Sequence, residues 1–91
     1  MQSVNVAYPG SGTDTEKVKS IATGVYSAIT LKRHFTVVNV NDENGNYRGE
    51  MVISELSSNY SVGLYLGYYT NVLFRVKNVG GTITVARVAE A

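Results

Sequence analysis

The chain has 91 residues, of which 44% are hydrophobic and 16% charged, with seven Tyr, nine Gly, one Pro and neither Cys nor Trp. These residues make one domain, and a domain of this size buries only about 60 to 65% of its unfolded surface, so a second domain is excluded and the margin of stability is thin. Eight Lys and Arg against seven Asp and Glu leave a net charge of +1, scattered without any run, which argues against a dedicated nucleic-acid binder or polybasic membrane anchor; without cysteine there are no disulfides, thiolate nucleophiles or sulfur-bound zinc.

Hydrophobic alternation is mostly of period two and is carried by Val, Ile, Tyr, Phe and Thr, which suit a pleated, half-buried surface, so the chain reads as all-β. Residues 3–8 read as an edge strand or an extended arm, closed by Pro9-Gly10-Ser11-Gly12, the one linker-like stretch. Residues 1–12 are therefore assigned to an N-terminal arm and linker, and 13–91 to a β-domain. Residues 13–22 support two readings equally. Thr13 followed by Glu16 has the form of a capping box, and Val18, Ile21, Ala22 and Val25 fall at helical spacing, giving a short helix within 13–23; the other reading is a strand from Val18. Residues 25–33 alternate as a strand.

Asn41-Asp42-Glu43-Asn44-Gly45-Asn46 signals a hairpin with Asn44-Gly45 as its turn. Pairing outward sets Val40 opposite Gly49, Val38 opposite Met51 and Thr36 opposite Ile53. The other face carries Phe35, Val37 and Val52 with Asn39, Glu50 and Ser54, so both faces are partly apolar. One face is expected on the core and the other against a second sheet or another subunit. After a turn at Ser57-Ser58-Asn59, residues 60–68 form a strand with Tyr60, Val62, Leu64 and Leu66 on one side. The C-terminal hairpin turns at Gly80-Gly81, pairing Val79 with Thr82, Asn78 with Ile83, Val76 with Val85 and Phe74 with Arg87. Phe74, Val76, Ile83 and Val85 then share one face, and Arg75, Lys77, Thr84 and Ala86 the other.

The expected fold is a single small β-sandwich or barrel of six to seven mostly antiparallel strands, with room for one short helix near residues 13–23. Its expected core is Val25, Ile29, Leu31, Val38, Val40, Met51, Ile53, Val62, Leu64, Leu66, Phe74, Val76, Ile83 and Val85.

Catalytic signals are weak. His34, the one histidine, follows Lys32-Arg33 with no acid within four residues to orient it, and reads as a strand-end residue. Asp42 and Glu43 are neighbours in a solvated turn, and the spacing around Gly45 does not meet that of a calcium loop. Gly10-Ser11-Gly12 lacks the remainder of a phosphate-binding motif. No catalytic residue, metal ligand or cofactor is assigned, and the chain is expected not to be an enzyme. No apolar stretch is long enough for a spanning helix, and the start lacks the pattern of a signal peptide, so synthesis without secretion is expected.

Four tyrosines lie within residues 60–69, a density of rigid amphipathic area that suits strand packing, a subunit interface or a ligand platform. The stretch Leu64-Tyr65-Leu66-Gly67-Tyr68-Tyr69-Thr70-Asn71-Val72-Leu73-Phe74-Arg75-Val76-Lys77-Asn78-Val79-Gly80-Gly81-Thr82-Ile83-Thr84-Val85-Ala86-Arg87-Val88 resembles the β-hairpin-rich modules of bacteriophage virion proteins. These include capsid decoration (cement) proteins and the knobs of tail fibres. The resemblance covers about a third of the chain and is one of composition and short alternating strands. It implies a non-enzymatic virion component, made in the host cytoplasm, often a homotrimer, that clamps adjacent subunits of a larger capsid protein with neither nucleic acid nor membrane as partner. The alternative is a glycan- or receptor-binding module using Tyr60, Tyr65, Tyr68 and Tyr69. Interface candidates are Val4, Val6 and Tyr8 of the arm, with Tyr60, Tyr65, Tyr68, Tyr69 and Asn71.

Overall fold

The computed structural model describes residues 2–7, 10–31, 35–42, 45–69 and 73–88. The elements run β1 (Gln2–Val6), α1 (Asp14–Ala28), β2 (Phe35–Asp42), β3 (Gly49–Ser57), β4 (Tyr60–Gly67), β5 (Leu73–Val79) and β6 (Thr82–Arg87). All six strands belong to one sheet whose spatial order is the sequence order. β2 to β6 form an antiparallel meander, whereas β1 pairs parallel to β2. A parallel pair cannot be closed by a tight turn, and α1 is the crossover that such a pair requires. The strand number and the dominant antiparallel pairing are as expected from sequence, and the single helix is one of the two readings that residues 13–22 allowed; the layer facing the sheet is that helix, with no second sheet among the described residues.

The helix reading of residues 13–22 is the one realised, and the reason is local. Glu16 N–H donates to the Thr13 hydroxyl oxygen at 3.2 Å, while Thr13 N–H donates to Glu16 Oε1 at 3.1 Å, so the capping box is formed in both directions. Those hydrogen bonds, the backbone one first, hold the Glu16 carboxyl below its ordinary pKa. α1 runs on through Ala28, which corrects the strand expected from residue 25. Val25 extends the buried stripe of Val18, Ile21 and Ala22 by one turn, and over so short a segment period two and period 3.6 select the same residue. The helix stops where Ile29 turns to extended backbone while its N–H still bonds Val25 O at 3.1 Å.

Both predicted hairpin registers are the observed ones, Val40 facing Gly49 and Val79 facing Thr82. Gly45, Gly80 and Gly81 have φ of 83°, 63° and 89°, left-handed values that turns demand and a side chain resists. Asn44 lies outside the described residues, as does His34. The core gathers Val18, Ile21, Ala22 and Val25 of α1 against Val4, Val6, Val38, Val40, Met51, Ile53, Tyr65, Phe74 and Val76 of the sheet, with Tyr47 at one end. Ile29, Leu31, Ile83 and Val85 pack on its margin.

Two expectations are corrected. Of the two readings of residues 3–8, the edge strand is realised over residues 2–6 and the extended arm is not: Val4 and Val6 are buried beneath α1, and the Gln2 side chain ties to Thr30, with Nε2 donating to the carbonyl at 2.6 Å and Oε1 accepting from the N–H at 3.0 Å. Val62, Leu64 and Leu66 are not core residues either. Tyr65 is directly opposite Met51 on one side and Phe74 on the other, and so shares their face. Its ring meets Phe74 at 6.3 Å between centroids. The apolar set of β4 is thereby turned away from the helix. Beside Tyr65 the helix-facing positions are Ser61, Gly63 and Gly67; a Cβ at Gly63 would stand 2.3 Å from the Val52 carbonyl oxygen, so no side chain fits there.

Candidate functional site

One helix covers one face of the sheet, and among the described residues nothing covers the opposite face. Alternation along each strand puts Phe35 and Val37 of β2, Glu50, Val52 and Ser54 of β3, Tyr60, Val62, Leu64 and Leu66 of β4, Leu73, Arg75 and Lys77 of β5, and Thr84 and Ala86 of β6 on that face. Three cross-sheet rows result. One runs Phe35, Ser54, Val62, Lys77, Thr84; the next Val37, Val52, Leu64, Arg75, Ala86; the third Asn39, Glu50, Leu66, Leu73. The middle of the surface is apolar and wet: Leu64 is 39% exposed, Leu66 43%, Val62 50% and Phe35 73%. Contiguous apolar patches beyond a few hundred Å² are uncommon on monomers and mark interaction sites.

Glu50 stands on one side of this stripe and Arg75 with Lys77 on the other, separated by β4. The Tyr68 hydroxyl donates to Glu50 Oε2 at 2.9 Å. That hydrogen bond, reinforced by the carboxylate's charge, raises the Tyr68 pKa above its usual value of 10.0. At the end of the stripe nearest the β3–β4 and β5–β6 turns, Leu56, Tyr60, Val62 and Val79 line an open groove of about 470 Å³ with Ser54, Glu55 and Ser61. β3 is irregular here, its register shifting between Glu55 and Ser57, which leaves Leu56 projecting into solvent.

The tyrosine candidates are scattered. Tyr65 is fully buried, its hydroxyl donating to the Tyr47 carbonyl at 2.6 Å. Tyr60 and Tyr68 are exposed at opposite ends of β4, about 27 Å apart at the rise of an extended strand, and Tyr69 is exposed beyond Tyr68. They form no common platform. Val4 and Val6 are inside, and Tyr8 and Asn71 lie outside the described residues. Sequence reasoning placed Leu64 and Leu66 in the core and so missed the surface they build; the signal was available in Arg75 and Lys77, which must face away from the core and carry Leu64 and Val62 with them.

A polar cluster closes the N-terminal end of α1. The Tyr47 hydroxyl donates to Asp14 Oδ1 at 2.6 Å and its N–H donates to Asp42 Oδ2 at 2.9 Å, with Lys17 Nζ 5.8 Å from the ring centroid. These contacts fasten the β2–β3 loop to the first turn of the helix. Deeper along α1, Ser61 Oγ donates to the Tyr26 hydroxyl oxygen at 3.1 Å, and burial raises the Tyr26 pKa. Among the described residues no three His, Asp or Glu side chains come together, and no helix is long and apolar enough to cross a membrane.

Fold and surface together define a small sheet domain with one helix-covered face and one open face that carries an exposed apolar stripe. Comparison of the chain with protein-family models, with curated proteins and with solved structures finds no match.

Proposed function

We propose that the protein is a structural assembly component, non-enzymatic, that docks onto a protein partner through the bare face of its sheet. The observation that carries this reading is the apolar stripe of Val62, Leu64 and Leu66, solvent-exposed on the face that no described element covers. A sheet of this kind gains free energy by burial of that stripe, at roughly 25 cal/mol per Å² of apolar area removed from water. The resemblance of residues 64–88 to phage virion modules supplies the setting: a capsid decoration protein contacting a larger shell-forming chain. With residues 2–6 held in the sheet, the clamp acts through the sheet face rather than through a loose arm.

The test is recovery with particles purified from cells that produce the protein. Stoichiometric presence by mass spectrometry, lost in Leu64→Asp with the isolated fold retained by circular dichroism, supports the reading. Absence from particles, or attachment indifferent to Leu64→Asp, refutes it. Glycan binding that disappears with Tyr68→Ala and Tyr69→Ala would assign the protein to receptor recognition instead.

A further inference from the structure

We infer that the bare sheet face pairs with the same face of a second copy, about a two-fold axis lying between the sheets and parallel to β4. The inference rests on the reading of that face as a docking surface and specifies its occupant in the free protein, before the larger chain is engaged. Such an axis sets β4 against its own copy, β3 against the partner's β5, and β2 against the partner's β6. The β4–β4 and β2–β6 juxtapositions are complementary; between β3 and β5 the directly opposed pairs are Glu50 with Leu73, Val52 with Arg75 and Ser54 with Lys77. Leu64 meets Leu64 on the axis, and Val62 and Leu66 likewise meet their own copies on either side. Phe35 and Val37, the bulky residues of β2, lie over Thr84 and Ala86, the small residues of β6. Glu50 lies over the strand that carries Arg75, one residue pair away along it, which a guanidinium side chain spans. Because the symmetry is two-fold, that charge pair occurs twice.

The other two-fold arrangement, with the axis across the strands through the row of Leu64, sets Arg75 against its own copy and leaves Glu50 without a cation. Charge therefore selects the first arrangement. Area permits it. Five strands overlap, β2 to β6, since β1 lies beyond the partner's β6; about 4.8 Å apart and roughly 18 Å long, they give a face on the order of 400 Å² in projection. Two such faces bury roughly 800 Å² in projection, and side-chain relief brings them to about the 1,000 Å² lower bound of a specific interface. The product is an aligned β-sandwich formed across two chains, its sheets about 10 Å apart and each backed by one α1 helix.

Sedimentation equilibrium over a concentration series tests the proposal. The expected mass is that of two 9.9 kDa chains at tens of micromolar. Leu64→Asp weakens association on the order of 100-fold or more, since two carboxylates then face each other in the buried centre. Glu50→Arg and Arg75→Glu each weaken it roughly tenfold, and the two combined in one chain restore it, because the swapped charges again meet across the axis. Circular dichroism confirms folding of each variant. A monomer at several hundred micromolar overturns the dimer, and particle attachment that persists in that case leaves the docking face itself intact. A Leu64-sensitive trimer, or a dimer in which the double charge swap fails to restore association, overturns the two-fold pairing.

Discussion

Tyr65 and Leu64 are neighbours in sequence with opposite roles, and exchanging one atom of the first against most of the side chain of the second tests the face assignment. Tyr65 is 0% exposed and its hydroxyl makes a 2.6 Å hydrogen bond to the carbonyl of Tyr47. Tyr65→Phe keeps the ring against Phe74 and removes only that donor, withdrawing a hydrogen bond from a buried carbonyl at a cost of about 1–3 kcal/mol. Against a total stability of roughly 5–14 kcal/mol for a chain of this size, that is a large fraction. A loss of about 2 kcal/mol corresponds to a fall in Tm of roughly 8–16 °C. Leu64→Ala deletes more atoms, but from a side chain that is 39% exposed on the uncovered face. It leaves no enclosed cavity, and the expected cost to the monomer stays below about 1 kcal/mol. Urea unfolding followed by circular dichroism, at concentrations low enough to keep the chain monomeric, gives both numbers, with m unchanged. A Tyr65→Phe variant within about 0.5 kcal/mol of the parent, or a Leu64→Ala variant that loses more than Tyr65→Phe, would refute the assignment of faces.

Thr13→Ala removes the acceptor of the Glu16 N–H and one side of the capping box, lowering stability by about 1 kcal/mol in the same assay, while Thr13→Ser stays close to the parent. Gly24→Ala is expected to stabilise by about 0.5–1 kcal/mol, because Gly24 is inside α1 and a Cβ there meets Val6 Cγ1 at an ordinary 3.7 Å. Gly63→Ala does the opposite, since its Cβ would collide with a backbone oxygen 2.3 Å away; unfolding at a lower urea midpoint by more than about 2 kcal/mol, or failure to fold, is expected. Glu16 has its pKa lowered below 4.5 in the native state. The native state therefore holds fewer protons than the unfolded one, so the contribution of Glu16 is fully present above about pH 4.5 and is lost as pH falls through the native pKa. Glu16→Gln should flatten that part of the acid unfolding curve. In spectrophotometric titration Tyr68 ionises later than a free tyrosine, and Glu50→Gln moves it back toward 10.0.

The sequence by itself determined the local structure. Thr13 and Glu16 offered a helix start, with a strand from Val18 as the equal alternative, Gly80-Gly81 and the turn at Gly45 specified two hairpin registers, and the valines and isoleucines of β2, β5 and β6 specified which of their residues pair across the sheet. The partly apolar outer face of the β2–β3 hairpin was also legible, as the alternation of Phe35, Val37 and Val52 with polar residues. These features are legible because capping, turn chemistry and period-two alternation act over a few residues and need no knowledge of what lies across the molecule. Which face of β4 meets the helix was decided only in three dimensions. Taken alone, Val62, Leu64 and Leu66 outweigh Ser61, Gly63 and Tyr65 as core candidates, yet a strand pairs with both neighbours at once and a sheet has one pleat. Met51 and Ile53 of β3 and Phe74 and Val76 of β5 already face α1, so β4 presents Tyr65 inward and its larger apolar set outward. The same holds for β1, whose five residues resemble a loose arm until parallel pairing with β2 and burial of Val4 and Val6 under α1 hold them in place. Side-chain alternation divides a strand into two sets, and only the neighbours determine which set is buried.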